Sequence, residues 1–175
     1  EPNRRLWIGT DGGGINLYEP QTGDFKHFYS TYGDKVVSIA PISEKELIVS
    51  VYTKGLFLFD THTGAYRPFL IINDSINFRQ CFYGYIPRAH RVTKNKIYIL
   101  SKDIWIYDIN NRKFSPIKTD KNYQLPTSVM AYSDEKMSLT MSGNKVFQII
   151  NKNDSIQPLF QIDEKETITA IDCDG

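Results

Sequence analysis

The residues with the clearest binding chemistry lie in the segment 72–85 and in the short apolar run that follows it. The candidate ligand-binding residues there are Arg79, Tyr83, Tyr85, Arg88 and His90. Tyrosine rings can stack on the faces of sugars, and arginine can form paired hydrogen bonds with a carboxylate or a sulfate. Long loops that carry such side chains on a rigid scaffold are frequent positions of binding sites. The alternative is a packed loop that only covers the edge of a sheet.

The other reactive residue types form no catalytic or metal-binding pattern. The glycine-rich stretch 10–14 lies between two predicted strands and lacks the lysine and the following helix of a phosphate-binding loop, so we interpret it as a tight turn. His27, His62 and His90 are scattered, with no spacing that suits zinc. We therefore predict no catalytic residue, no metal site and no cofactor, and we do not expect this segment to be an enzyme.

The chain contains two cysteines, Cys81 and Cys173. Their spacing alone does not show whether they form a disulfide with each other, and it does not match a metal-binding motif. We expect two thiols, with a disulfide as the alternative if the compartment is oxidising.

The elements that position the candidate residues repeat along the chain. The stretch Leu6–Glu19 returns as Leu47–Asp60 with a constant offset of 41 residues, which aligns Gly14 with Gly55. Two weaker copies follow at 97–108 and 137–150. A fixed period of about 40 residues, built from short strands, is typical of a stacked or circular β-array.

Each repeat contains four predicted strands, named here a to d. Strand a is an isolated apolar run, strands b and c form a hairpin of alternating apolar residues, and strand d follows a turn. Four antiparallel strands per repeat are typical of a β-propeller blade. We therefore predict an all-β fold, a β-propeller section of about four blades of four antiparallel strands that starts at strand b and ends at strand a. The constant offset argues against the alternative, a β-sandwich.

Residues 1–175 are interpreted as part of one β-propeller, with blade motifs at 6–28, 46–69, 96–117 and 136–160. The final predicted strand, 167–172, would belong to the next blade of a larger ring or to the first blade of a small one. In a propeller the d-to-a and b-to-c loops share one face, so the candidate residues are expected on that face. Asp60 and Asp108 follow the last aromatic residue of strand c and are expected to bind backbone N–H groups of the next turn.

The composition excludes some classes of partner. The chain has 21 basic and 20 acidic residues, and this near balance argues against binding of nucleic acid or of a membrane surface. The 11 tyrosines and 10 phenylalanines fit a strand-rich protein. No apolar run approaches the roughly 20 residues of a membrane span, so we expect none in this segment.

Residues 6–28 closely resemble the two-component regulator propeller repeat. In that family Leu-Trp-Ile-Gly-Thr is followed by Gly-Gly-Leu, an aromatic residue, Asp-Pro-x-Thr-Gly and Phe. The match is partial over 47–69 and weak over 97–117 and 137–160. These repeats form the extracytoplasmic sensors of hybrid two-component systems in glycan-degrading gut bacteria, whose histidine kinase and DNA-binding domains lie elsewhere in the chain.

The resemblance implies a periplasmic, ligand-sensing segment of an inner-membrane receptor, with an oligosaccharide from glycan breakdown as its ligand. It also implies that other blades or domains of the parent chain are partners, that a homodimer can form, and that kinase activity belongs to absent domains. The motif residues are scaffold, so the family supplies no ligand-binding residues here. The alternatives are a structural or protein-interaction propeller without a small-molecule site, and a propeller lyase or glycosidase.

Overall fold

A computed structural model describes residues 5–69, 86–101, 103–117, 129–131, 137–150, 152–166 and 168. These residues form strands and turns, and no helix occurs among them. Within each sheet, every strand pairs with the strand next to it in sequence, so the sheets are antiparallel meanders. Short loops favour this arrangement because antiparallel strands can be joined by tight turns.

The strands belong to four sheets. The first sheet has three strands in the order β1-β2-β3, and the other three sheets have four strands each. The first and second sheets contain β1 (Leu6–Gly9), β2 (Ile15–Glu19), β3 (Asp24–Phe28), β4 (Val36–Pro41), β5 (Glu46–Val51), β6 (Gly55–Asp60) and β7 (Tyr66–Pro68). The third and fourth contain β8 (Arg88–Arg91), β9 (Lys96–Leu100), β10 (Ile104–Asp108), β11 (Lys113–Pro116), β12 (Val129–Ala131), β13 (Met137–Ser142), β14 (Lys145–Ile150) and β15 (Ser155–Gln161).

The predicted fold class is confirmed: the described residues form an all-β section of the propeller type, built from four antiparallel sheets. In the first sheet, β1 has the repeat position of a strand b, and β2 and β3 have those of strands c and d. The predicted final strand, 167–172, lies outside the described residues except for Ile168, whose N–H donates to the carbonyl of Gly143 at 3.0 Å.

The chain divides into two compact units. Among the described residues, unit 1 comprises 5–69 and 86–89, and unit 2 comprises 90–168 with its gaps, so the division falls within β8.

Unit 1 is held together by aromatic packing between its two sheets. Phe28 on β3 packs edge-on against Phe59 on β6, with ring centroids 5.2 Å apart. Trp7 on β1 contacts both rings, at 5.7 Å from Phe28 and 5.5 Å from Phe59. The buried residues of the same cluster are Ile15, Leu17, Leu47, Val49, Val51 and Phe57. Trp7 is thus a packing residue.

Unit 2 has its own core and a polar link between its two sheets. Ile149 and Ile156 of the fourth sheet pack against Tyr98 and other buried residues of the third sheet. Lys96 Nζ lies 2.6 Å from Asp154 Oδ1, to which the Tyr98 hydroxyl donates a hydrogen bond of 3.3 Å. Burial of Tyr98 raises its pKa above the usual range, and the charge of Asp154 adds to this shift.

Aspartates complete the turns after strand c, as predicted. Asp60 Oδ1 accepts the N–H groups of His62 and Thr63 at 2.9 and 2.8 Å, and Asp108 Oδ1 accepts that of Asn111 at 2.9 Å. Hydrogen bonds from backbone N–H groups favour the charged carboxylate, and the bond from Thr63 is the main reason why the pKa of Asp60 is lowered.

The first prediction concerns Gly14, at the end of the glycine-rich turn. Its φ is +66°, and a Cβ there would lie 2.5 Å from the backbone oxygen of Phe28. We expect Gly14→Ala to lower the free energy of unfolding by at least about 2 kcal/mol, because left-handed strain and a backbone clash add up. Gly23→Ala is the matched control: its φ is +78°, but no atom lies within 4 Å of the added Cβ. Equal losses for the two variants in denaturant titrations would contradict this prediction.

The second prediction concerns Tyr66, which packs beside Phe59 with ring centroids 5.0 Å apart. Its hydroxyl is buried and has no hydrogen-bond partner among the described residues. Burial, followed by the charge of Asp34, raises the pKa of Tyr66 to about 12. An unfolded tyrosine titrates near pH 10, so the folded state holds this proton more tightly. Stability should therefore be complete below about pH 10 and fall as the pH rises towards about 12.

Tyr66→Phe tests this expectation. The variant should unfold with the same or a higher free energy at pH 7, because it loses an unsatisfied buried hydroxyl. Between about pH 10 and 12 it should lose less stability than the wild type. Tyr29→Phe, at a side chain that is 73% exposed, is the control. Identical alkaline losses in the wild type and Tyr66→Phe, measured by thermal unfolding across this pH range, would argue against the assignment.

Candidate functional site

The structure describes two of the five predicted site residues. Arg79, Tyr83 and Tyr85 lie outside the described residues. Arg88 and His90 are both on β8, where Arg88 is exposed and His90 is half-buried. Ala89 between them is 1% exposed. Because side chains alternate along a strand, Arg88 and His90 lie on the same face of β8, opposite Ala89. The five-residue site itself remains a prediction.

The backbone on both sides of Arg88 is fixed within unit 1. The buried Ser50 hydroxyl donates to the carbonyl of Pro87. The N–H of Ala89 donates to Ser38 Oγ at 2.8 Å. Arg88 is therefore an exposed cation on an anchored backbone, which suits recognition of an anionic group because little backbone freedom is lost on binding.

Unit 1 has a second surface, which we call the loop face, where three connecting segments meet: 10–14, 29–35 and 52–54. The N–H groups of Gly12 and Gly14 donate to the carbonyl of Asp34 at 3.1 and 2.9 Å. The N–H of Tyr52 donates to the carbonyl of Lys35 at 2.9 Å. The b-to-c loops and the d-to-a connection of unit 1 therefore lie together, as expected for propeller blades.

Lys35 connects the two b-to-c loops through its side chain as well. Its Nζ lies 2.8 Å from Asp11 Oδ2 and 4.9 Å from the centroid of the Tyr52 ring. The hydrogen bond that Lys35 Nζ donates to Asp11 raises the pKa of Lys35 above its usual value. The Lys35 and Asp11 side chains are 47% and 74% exposed, so the ion pair contributes little to stability. Its position matters more, because it places a donor and an acceptor side by side at the surface.

The loop face carries two partly exposed aromatic rings, and one of them, Tyr52, lies beside this ion pair. Tyr52 is 42% exposed and Tyr32 is 37% exposed. The Tyr32 ring packs against the buried Phe57 ring at 4.6 Å, and the N–H of Tyr32 is held by Ser30 Oγ at 3.0 Å. The loop face thus combines fixed aromatic rings with hydrogen-bonding groups of both kinds, which is the composition of a recognition surface.

Sequence reasoning missed the loop face because it assigned stretch 10–14 to turn geometry alone. That assignment is right for the glycines, since Gly12 and Gly14 have φ values of +109° and +66°. The overlooked signal is the repeat itself. The offset of 41 residues aligns Asp11 with Tyr52, so two side chains with binding chemistry occupy the same loop position in consecutive repeats.

In the described part of the chain, no group of three or more His, Cys, Asp or Glu side chains is arranged to hold a metal ion. The same residues contain no helix that is long and apolar enough to cross a bilayer.

Comparisons by sequence find no counterpart. No family model matches the chain. No curated protein matches it either.

Comparisons of structure do find counterparts. The extracellular domain of BT4673 from B. thetaiotaomicron, which is named as a hybrid two-component system, aligns with a TM-score of 0.68 and 19% identity over 94% of this chain. The extracellular domain of BT3049 from the same organism, with a similar name, aligns with a TM-score of 0.59 and 17% identity over 87% of this chain. A luciferin-regenerating enzyme aligns with a TM-score of 0.63 and 12% identity over 91%.

The coverage of the matched proteins is unequal. The chain spans 24% of the BT4673 domain and 21% of the BT3049 domain, and 58% of the enzyme. At these identities the likeness concerns the fold. The structural resemblance to extracellular domains of two-component systems, predicted from the repeat sequence, is confirmed at that level.

Proposed function

We propose that this chain is a ligand-sensing, extracytoplasmic propeller segment of a hybrid two-component receptor, and that its ligand is an oligosaccharide from glycan breakdown. In this proposal residues 1–175 are part of one propeller, and ligand binding controls a kinase and transcription through domains elsewhere in the parent chain. The segment itself performs no catalysis. Its partners are the saccharide and the other blades or domains of the parent protein, with a homodimer as one assembly.

The observation that carries the proposal is the fold. Two extracellular domains named as parts of hybrid two-component systems share it over 94% and 87% of this chain. The repeat motif at 6–28 points to the same class of receptor independently of the coordinates. The same comparison supports the extracytoplasmic location in this proposal, since both aligned domains are named as extracellular.

The ligand class is supported by the side chains. Arg88 is exposed on a fixed backbone, and unit 1 presents the partly exposed Tyr52 beside a hydrogen-bonding ion pair. Aromatic rings and such polar groups together suit the apolar faces and hydroxyl groups of sugars. A ligand can shift the arrangement of a receptor only as far as its affinity differs between the two states. Signalling therefore requires contacts that change when the blades or domains move.

The fold alone does not decide between binding and catalysis, because a luciferin-regenerating enzyme shares it. Incubation of the purified chain with neutral and acidic oligosaccharides, followed by an assay for new reducing ends, separates the two. We expect no turnover. The remaining alternative, a propeller with a purely structural or protein-binding role, predicts that no oligosaccharide binds.

The third prediction concerns Arg88. We expect Arg88→Ala to weaken binding of an acidic oligosaccharide by about 10- to 100-fold, because a charge-assisted hydrogen bond is lost. The melting temperature should not change, since the side chain is exposed. Binding is measured by calorimetry with a uronic-acid hexasaccharide and a sulfated hexasaccharide.

Lys113→Ala, at an exposed basic residue on the outer strand of the same sheet, is the matched control and should bind normally. Wild-type affinity in Arg88→Ala would remove this residue from the site. Loss of binding in both variants would point to overall charge rather than to a site at β8.

A further inference from the structure

We propose that the loop face of unit 1 is a separate binding subsite for an uncharged saccharide, in which the Asp11–Lys35 ion pair binds two neighbouring hydroxyl groups and Tyr52 stacks on the sugar ring. The inference rests on the proposed function for its ligand class. The inference places a second binding site on the loop face. It also gives that site a selectivity for uncharged ligands, which Arg88 does not provide.

The hydrogen-bonding capacity of the ion pair supports a hydroxylated ligand. Lys35 Nζ and Asp11 Oδ2 are 2.8 Å apart. An ammonium group has three donors and a carboxylate has about four acceptor positions, so the bond between them leaves capacity on both sides. One hydroxyl of a vicinal diol can donate to Asp11 while its neighbour accepts from Lys35. A ligand with only a carboxylate could accept from Lys35 but not donate to Asp11, and a ligand with only an ammonium group could donate to Asp11 but not accept from Lys35.

The charge of the pair selects against acidic ligands. Asp11 is 74% exposed and lies directly beside the ammonium group of Lys35, so it offsets that positive charge towards any approaching anion. A sulfate or carboxylate would have to displace Asp11 or tolerate like-charge repulsion. An uncharged ligand meets neither cost. The loop face should therefore prefer neutral glycans, whereas Arg88 suits acidic ones.

The aromatic rings are arranged before the ligand binds. Tyr52 is positioned by its backbone bond to Lys35 and by the Lys35 ammonium group, 4.9 Å from its ring centroid. Tyr32 is held on its inner side by Phe57, at 4.6 Å. Ordering flexible side chains opposes binding, so rings that are already fixed give more affinity per contact. Partial exposure of both rings leaves surface that a pyranose can cover.

The fourth prediction tests this subsite on the 175-residue chain. An array of neutral and sulfated oligosaccharides identifies a bound neutral glycan, whose affinity is then measured by calorimetry. Tyr52→Ala should weaken its binding at least about tenfold, because an aromatic anchor is removed. Tyr52→Phe should retain most of the affinity, since the ring remains. Asp11→Asn should shift the preference from neutral towards sulfated glycans, because the offsetting carboxylate is gone.

Phe25→Ala and Asp24→Asn are the controls, because Phe25 is 56% exposed and both residues lie at the opposite end of the first sheet. Wild-type affinity in Tyr52→Ala, or unchanged selectivity in Asp11→Asn, would overturn the subsite. If binding survives these changes and is lost in Arg88→Ala, the inference fails and the proposed function stands. If no glycan on the array binds, the proposed function fails and the subsite fails with it.

Discussion

The structure depends on one constraint: each sheet has an apolar face that must be buried against another sheet. In unit 1 this is achieved by Trp7, Phe28 and Phe59, which come from three different strands and meet within 5.7 Å. A single three- or four-stranded sheet cannot exclude water from such a face on its own. A single repeat is therefore incomplete by itself, because within each unit one sheet supplies the surface that covers the other.

Because of this constraint, the polar side chains that can bind a ligand lie at the edges of the sheets. The faces of β5 and β6 are occupied by packing residues, so side chains that can bind a ligand are left at the loops and strand ends. The carbonyl groups of Asp34 and Lys35 receive N–H groups from both b-to-c loops of unit 1, and their bonds fix the loop face. Arg88 is fixed in the same way, through the backbone of its neighbours Pro87 and Ala89. Both candidate surfaces are thus rigid because the scaffold beneath them is packed.

The two surfaces differ in the chemistry that they offer. Arg88 presents an exposed guanidinium group on β8, whereas the loop face presents the Lys35 ammonium group with the Asp11 carboxylate 2.8 Å away. A receptor with both could recognise a glycan through an acidic group at one place and through plain hydroxyl groups at another. The fold permits but does not dictate this, since proteins as different as an extracellular receptor domain and a luciferin-regenerating enzyme share it. The function of such a protein therefore depends on the side chains that its loops carry.

The sequence by itself determined the strands, the period and the local turn chemistry. The alternation of apolar residues predicted the strands, and the glycines of 10–14 predicted the tight turn. Asp60 and Asp108 predicted the hydrogen bonds to the backbone N–H groups of the turns that follow them. All of these features depend on residues close together in the chain. Only the tertiary structure decided which distant side chains meet. Asp11 reaches Lys35 across 24 residues, and Lys96 reaches Asp154 across 58. Such contacts are set by how consecutive sheets pack and how their connections bend, and neither is encoded in a local pattern.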